Sequence, residues 1–422
     1  MEPAASVAPA LERLDPQWRI VLDGVRTALG RDPLPPAEGA PSSASPDWRR
    51  VLGIASHQRV APLLYRVVRR MPSSDIPAAV VRALRESYLE TAARNAALFA
   101  GLTRILEALS AAGILSVPLK GAFLADAVYP DRASRWMADI DLLVREEDLD
   151  GAETALRRIG YEAAQGAGSK AALRSEHHHW VFQSREPILR SIPLEIHWDL
   201  HPPGWPFRLN LAGIWERAVP TRIGGVETLA MAPDDLLLHL CTHASRHGFN
   251  GGLIALCDIS AVAAHYGDDL DWSRFAAHAR ESGSGAFAAV ALRLAVELAG
   301  APVPAATLHT LMDRDATGAL HLARERVLEE KGELRAAAEF TLRWRRRASE
   351  DGFAAVGDAL ARDAEKHSHS RGSRFRTLSR YYLPAFWSLV RHPRAVTAIA
   401  RREAKKAPLD SWCTRGARIA ER

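Results

Sequence analysis

Asp139-Ile140-Asp141 heads the apolar run Leu142-Leu143-Val144. On a strand, alternation puts both aspartates on one face and Ile140 on the other. Two carboxylates fixed side by side repel each other and call for a cation. An all-oxygen set of this kind suits Mg2+ (or Mn2+), which shares such ligands with phosphates. Taken alone, Asp-x-Asp reads as a pair of exposed acids at a strand start, but the residues upstream change the balance. Ile114 to Leu119 is a short apolar run of strand length, and Lys120-Gly121 carries it into a small-residue helix, Ala122 to Val128. A strand that turns into a helix aims backbone N–H groups at an anion. Gly121 admits close approach, and Lys120 adds a point charge for phosphate oxygens.

A third acid stands in Leu194-Glu195-Ile196-His197-Trp198-Asp199. Leu194, Ile196 and Trp198 share one strand face; Glu195, His197 and Asp199 share the other. An acid between apolar neighbours is costly unless its face lines a site. If this strand runs beside that of Asp139, Glu195 either joins the aspartates at a pair of metal ions or acts as general base. Same-face positions lie about 6.5 Å apart, twice the strand rise. Only Glu195 is therefore expected directly beside the metal, with His197 and Asp199 on the wall of an acceptor cleft.

Other polar residues gather around this centre. Arg135, four residues before Asp139, is placed either to neutralise a phosphate or to brace the aspartates. His239, His243 and His247 recur at helical spacing, with Asp258 on the next helix. No His-Glu-x-x-His arrangement accompanies them, so they read as a polar seam, His239 and His243 lining the acceptor cleft, and not as a zinc site. His177-His178-His179 reads as an incidental hairpin edge, because consecutive strand residues face opposite sides. Cys241, Cys257 and Cys413 lack paired spacing and read as packing residues.

The elements that must hold these residues follow from periodicity. Residues 1–111 read as helical: an apolar stripe Leu11, Leu14, Trp18, Val21, Leu22 and Val25, a Pro/Ser/Gly-rich linker from Arg31 to Pro46, then helix from Asp47 to Ala111. That helix is interrupted at Met71-Pro72-Ser73-Ser74 and stopped by Gly113. Residues 112–230 read as an α+β core, with strands at 114–119 and 139–144, a helix from Asp148 to Ile159, and a hairpin of His179–Gln183 with Pro193–Asp199. Residues 231–370 return to helix, and 371–422 form a basic helical tail. The tail holds 13 Lys and Arg against 3 acids, a net +10 that leaves the remainder at −5. It reads as a solvated face, with nucleic acid or an anionic membrane surface as alternative partners. The chain of 422 residues, 47% hydrophobic and 25% charged, has the composition of a soluble globular protein. With no membrane-length apolar run and no signal-peptide layout, a cytoplasmic protein without a transmembrane segment is expected.

From Leu119-Lys120-Gly121 through Tyr129-Pro130 and Arg135-Trp136-Met137-Ala138-Asp139-Ile140-Asp141-Leu142-Leu143-Val144 to Gly160-Tyr161, the chain resembles the uncharacterised nucleotidyltransferase family of bacteria. That family sits within the DNA polymerase β-like nucleotidyltransferase superfamily. The likeness reaches upstream to Arg94-Asn95 and downstream to Leu194-Glu195-Ile196-His197-Trp198 and His239–Asp258, roughly residues 50 to 300. It implies a small mixed-sheet nucleotidyltransferase core flanked by N- and C-terminal helical domains. Asp139, Asp141 and Glu195 match the catalytic, metal-binding acids. Lys120, Gly121, Ala122 and Arg135 fall at the nucleotide-binding positions. Gly121 matches the glycine of the superfamily's Gly-Ser turn, whereas Ala122 replaces its phosphate-binding serine, a lost hydroxyl that Lys120 is placed to offset. The implied reaction is metal-dependent transfer of a nucleotide from an NTP to a hydroxyl or amine of a small-molecule or peptide acceptor, with release of pyrophosphate; nucleic acid is the less favoured acceptor. The alternative is a non-catalytic binding or regulatory protein that keeps the fold.

Overall fold

The computed structural model describes residues 14–35, 45–72, 75–164, 174, 177–205, 207–312 and 314–328. Leu11, most of the 31–46 linker, Cys413 and the basic tail lie outside them. Helix α1 (Pro16–Ala28) starts where Asp15 accepts the Gln17 N–H at 2.9 Å and Pro16 occupies a position that needs no N–H. It buries Trp18, Val21, Leu22 and Val25, the expected stripe. The helical run expected from Asp47 is split into α2 (Trp48–His57) and α3 (Ala61–Val68) at Gln58-Arg59-Val60, where Arg59 adopts φ +60°. The cause is tertiary. Buried Gln58 accepts the Leu253 N–H at 2.6 Å and donates to the Val327 carbonyl at 3.1 Å, which overrides local helix propensity.

Helix α4 (Ala78–Ala111) runs 34 residues and buries Leu98, Phe99, Leu102, Ile105, Leu106 and Leu109 along its second half. It ends as expected at Gly113, φ +73°, with the Ile114 N–H returning to the Leu109 carbonyl at 2.9 Å. Strand β1 (Ser116–Pro118) and helix α5 (Lys120–Ala127) follow, then β2 (Ile140–Val144), α6 (Leu149–Arg158), β3 (Tyr161–Ala163), β4 (His179–Ser184) and β5 (Leu194–His197). These strands form one mixed sheet in the order β1-β2-β5-β4-β3, so the fold class is α+β. Only β2 and β5 pair in parallel; β4 and β5 are the antiparallel hairpin the sequence suggested. Ile140, Leu142, Leu194 and Ile196 are buried, while Asp141 pairs with Glu195 on the opposite face.

Three strands were not legible beforehand. Strand β3 is short, and β6 (Val219–Ile223) with β7 (Val226–Ala230) forms a separate hairpin turned by Gly224 and Gly225 at φ +59° and +87°, values that only the mirror-image tight turn needs. Thr228 Oγ1 donates to the Ser116 carbonyl at 2.7 Å and ties this hairpin to β1. Helix α7 (Leu211–Arg217) precedes it; α8 (Pro233–Arg246), α9 (Leu253–Tyr266), α10 (Trp272–Glu281), α11 (Gly285–Ala299), α12 (Ala305–Leu311) and α13 (Arg314–Val327) follow. Cys241 and Cys257 are free, buried packing residues of α8 and α9. Among the described residues no helix is long and apolar enough to cross a membrane.

Candidate functional site

Parallel pairing of β2 with β5 sets Asp141 directly opposite Glu195. Asp141 is only 1% exposed, and one of its oxygens, Oδ1, receives both the Lys120 ammonium at 2.8 Å and His197 Nε2 at 2.9 Å. The same His197 nitrogen lies 3.3 Å from Glu195 Oε2. Asp141, Glu195 and His197 thus bring one ligand atom each within 4.8 Å of the others. The expectation that only Glu195 reaches the buried acid is corrected: His197, one step along β5, spans the diagonal to Asp141. Lys120 opens α5 with φ +46°, a left-handed conformation that costs a side-chain-bearing residue about 1–3 kcal/mol. Gly121 follows it in a close-packed position, where a Cβ would sit 3.0 Å from Met137 Cγ and press on that side chain.

Asp139 stands just ahead of β2, on a loop held from beneath by α4. Arg94 donates to the carbonyls of Met137 at 2.8 Å and Ala138 at 3.0 Å, and Asn95 donates to that of Arg135 at 2.7 Å. Asp139 is not in the close Asp141–Glu195–His197 group, and among the described residues it has no hydrogen-bond or ion-pair partner. Burial and then the neighbouring Asp141 push its carboxyl up to about 6, with Lys120 only partly offsetting them. Burial would raise Asp141 too, but Lys120 and His197 outweigh it and hold that carboxyl well below the usual range. A half-buried carboxylate with no partner, beside two further acids, fits a divalent cation with oxygen ligands.

Lys120, Gly121, Asp139 and Glu195 form one side of a cleft of about 470 Å³, facing His243, Arg246, His247 and Asn250 from α8 and the turn after it, while Asp141 is buried and not part of the wall. Not every expected residue is in its wall. His243 lines it; His239 is buried in α8 with both ring nitrogens unpartnered, and His197 lies behind on Asp141. Asp199 accepts the Leu200 N–H at 2.6 Å, turning the chain outside the cleft. Ala122 is buried and adds no polar group. Of the two roles open to Arg135, the structure shows a brace of another kind. It makes two 2.7 Å bonds to Asp258, which also accepts from Tyr129 at 2.8 Å, so the Asp139 loop is pinned to α9.

Two cations were missed. Arg59 lies 4.2 Å over the Trp136 ring, and Arg246 makes a hydrogen bond to His247 at 2.9 Å, leaving its Nε buried without a partner. Neither has a carboxylate partner among the described residues, and burial lowers the pKa of both. Arg246 could have been found, since it interrupts the His243–His247 stripe; nothing in the sequence marks Arg59, which the break between α2 and α3 delivers.

Two more clusters need weighing. His178 precedes β4 rather than lying in it, so strand alternation does not separate it from His179, as the sequence reading of His177-His178-His179 assumes. A ring nitrogen from each of His178, His179 and His197 lies within 4.8 Å of the other two. Burial, with neighbouring imidazoles adding to it, pushes His178 down to about 2; burial takes His179 down to about 4, so both are neutral near pH 7. Asp234, Asp235 and His278 also converge. That group is already closed, by Arg274 on Asp234 at 2.7 Å and Arg217 on Asp235 at 2.8 Å, and is a structural ion-pair cluster.

A family model described as an uncharacterised nucleotidyltransferase matches residues 44–300. No curated protein and no solved structure matches the chain.

Proposed function

The chain belongs to the uncharacterised nucleotidyltransferase family, and from that premise we propose metal-dependent transfer of a nucleotide from an NTP to a hydroxyl or amine of a small-molecule or peptide acceptor, with release of pyrophosphate. The observation that carries this reading is Asp139: an unpartnered carboxylate, pushed up to about 6 beside Asp141 and Glu195, at the mouth of a cleft that also holds two unpaired arginines. A divalent ion, Mg2+ or Mn2+, would be held by Asp139, Asp141 and Glu195 and would supply positive charge to the phosphate chain and acidify the acceptor group.

The chain's own residues do the rest. Arg59, held over the Trp136 ring, together with Lys120 and Arg246 faces the phosphates. Gly121 keeps the start of α5 open to close approach. The acceptor oxygen or nitrogen forms a bond to the α-phosphorus, and the bond from that phosphorus to the bridging oxygen breaks, its electron pair leaving on pyrophosphate. Glu195 lines the cleft and takes the acceptor's proton, with its Oε2 held by His197. In this reading 112–230 is the catalytic core, 1–111 and 231–370 are helical flanks, and the 371–422 tail serves partner or acceptor binding. A cytoplasmic setting, where NTP and Mg2+ are abundant, suits the reaction. A cleft of about 470 Å³ has room for one nucleotide-sized ligand.

The test is incubation of the full chain with each NTP labelled at the α-phosphate, Mg2+ or Mn2+, and a cell extract. Label should move to an acceptor with one pyrophosphate released, and should not move with Asp141→Asn. Transfer from a γ-labelled NTP instead, or NTP binding that needs no metal, overturns the proposal. One observation favours a second reading. The Lys120 ammonium on Asp141 supplies internally the charge that an ion would bring. A chain that kept this pair closed would bind nucleotide without transfer, and bound NTP recovered intact in every reaction would establish it.

A further inference from the structure

We propose that His178, His179 and His197 form a nitrogen-rich site for a transition-metal dication of the zinc class, separate from the oxygen site at Asp139. The argument begins at His197. Asp141 is ionised and accepts hydrogen bonds only, so the His197 Nε2 that lies 2.9 Å from it must carry the proton. In the neutral ring the lone pair is then on Nδ1, and that atom is buried and has no partner. A buried lone pair without a donor is a deficit that a metal ion removes. A carboxylate on the far nitrogen of a histidine is the arrangement that fixes the tautomer of a metal ligand.

The two neighbours complete the set. His178 Nε2 and His179 Nδ1 lie 3.4 Å apart, long for a hydrogen bond between nitrogens. Two ligands on a tetrahedral ion with bonds of about 2.1 Å stand about 3.4 Å apart. His178 and His197 are 4% and 3% exposed, so both rings are withheld from water and held by packing. Borderline-soft ions select imidazole, whereas Mg2+ selects oxygen, so the two sites discriminate by ligand type. Glu195 lies between them, its Oε2 at 3.3 Å from His197 Nε2 and 3.9 Å from His179 Nε2. An ion on the histidines would lock β4 to β5 and so fix the Glu195 carboxylate that faces the cleft.

The test uses untagged full-length protein stripped with a chelator and titrated with Co2+ in excess Mg2+. One Co2+ per chain should bind, with the visible absorption of a four- or five-coordinate nitrogen site, and Zn2+ should displace it mole for mole. His178→Ala and, separately, the more exposed His179→Ala should each weaken Co2+ binding at least tenfold, with circular dichroism reporting the fold. Asp139→Asn should bind Co2+ as the parent does while failing in label transfer, which separates this site from the proposed transferase centre. Absence of tight Co2+ in the parent protein overturns the proposal. Parent-like affinity in a His178→Ala/His179→Ala double variant, or loss of Co2+ in Asp139→Asn, does the same.

Discussion

Replacing Asp139 by asparagine should make the metal-free protein more stable at pH 7, although it removes a proposed catalytic acid. The magnitude follows from the site. Folding lifts the Asp139 carboxyl from its ordinary 3.8 to about 6, a gap of about two pKa units worth roughly 3 kcal/mol. The sign follows from proton binding. Below about pH 3 Asp139 is protonated in both folded and unfolded chains and costs nothing. Between pH 4 and 6 the unfolded chain releases the proton while the folded one keeps it, so stability falls as pH rises. Above pH 6 the full penalty is present. Asparagine keeps nearly the same volume and never ionises, so it escapes the penalty. Urea denaturation of parent and Asp139→Asn protein should therefore differ least near pH 3 and diverge by up to about 3 kcal/mol at pH 7. Millimolar Mg2+ should close the gap by stabilising the parent alone, because an ion bound only by the folded state adds its binding free energy. A variant no more stable than the parent at pH 7, or a gap indifferent to pH and Mg2+, refutes the view that Asp139 is an uncompensated charge awaiting a cation.

Asp141→Asn should act in the opposite direction, because it strands Lys120 and His197 beside a neutral amide: a loss of about 3–5 kcal/mol in the same denaturation assay, together with loss of transfer. Arg59→Ala and Arg246→Ala should each weaken NTP binding about tenfold or more, the worth of one charge-assisted hydrogen bond to phosphate, read by titration with a fluorescent nucleotide; unchanged affinity in both removes them from the phosphate site. Arg135→Lys should cost about 2–5 kcal/mol in stability by breaking the paired bonds to Asp258, and it should lower transfer more than NTP affinity, since the loop carrying Asp139 loses its anchor on α9.

Period-two patterning made the acids legible. Asp141 sits between Ile140 and Leu142 and Glu195 between Leu194 and Ile196, and the two pair across β2 and β5, whereas Asp139 falls on the loop ahead of the strand that the pattern extends to it. That β2 and β5 would be neighbours, and parallel, is a long-range fact that no local pattern encodes. The same limit hid His197, because spacing along one strand says nothing of a diagonal reach to the next. Helical spacing found the His239, His243 and His247 stripe, but which of these rings faces the cleft depends on how α8 rolls against its neighbours. Arg59 was invisible for a physical reason: its position is set by Gln58, whose side chain satisfies backbone groups of Leu253 and Val327, far along the chain. The β6–β7 hairpin was missed because its strands bury only Ile223 and Ala230 and so carry no apolar alternation.

Strain and uncompensated charge gather at one place in the described structure, and their coincidence is the strongest argument that the cleft is where the protein works. Its non-glycine residues with positive φ are Arg59, Lys120 and Phe249. The first two line the cleft, and the third lies in the turn between His247 and Asn250, which also line it. Each such conformation costs about 1–3 kcal/mol and persists only where surrounding packing over-determines it. The same cleft holds Asp139 without a cation and Arg59 and Arg246 without an anion. Elsewhere comparable charges are closed: Arg274 and Arg217 grip Asp234 and Asp235 across α10, α7 and α8. A fold that can neutralise its buried acids so completely at one cluster, and leaves opposite charges apart and unpaired a few residues from strained backbone at another, is arranged for ligands that bring both signs. The ligand we propose, a metal-bound nucleoside triphosphate, would bring a cation for the acids and phosphates for the arginines and so satisfy both deficits at once.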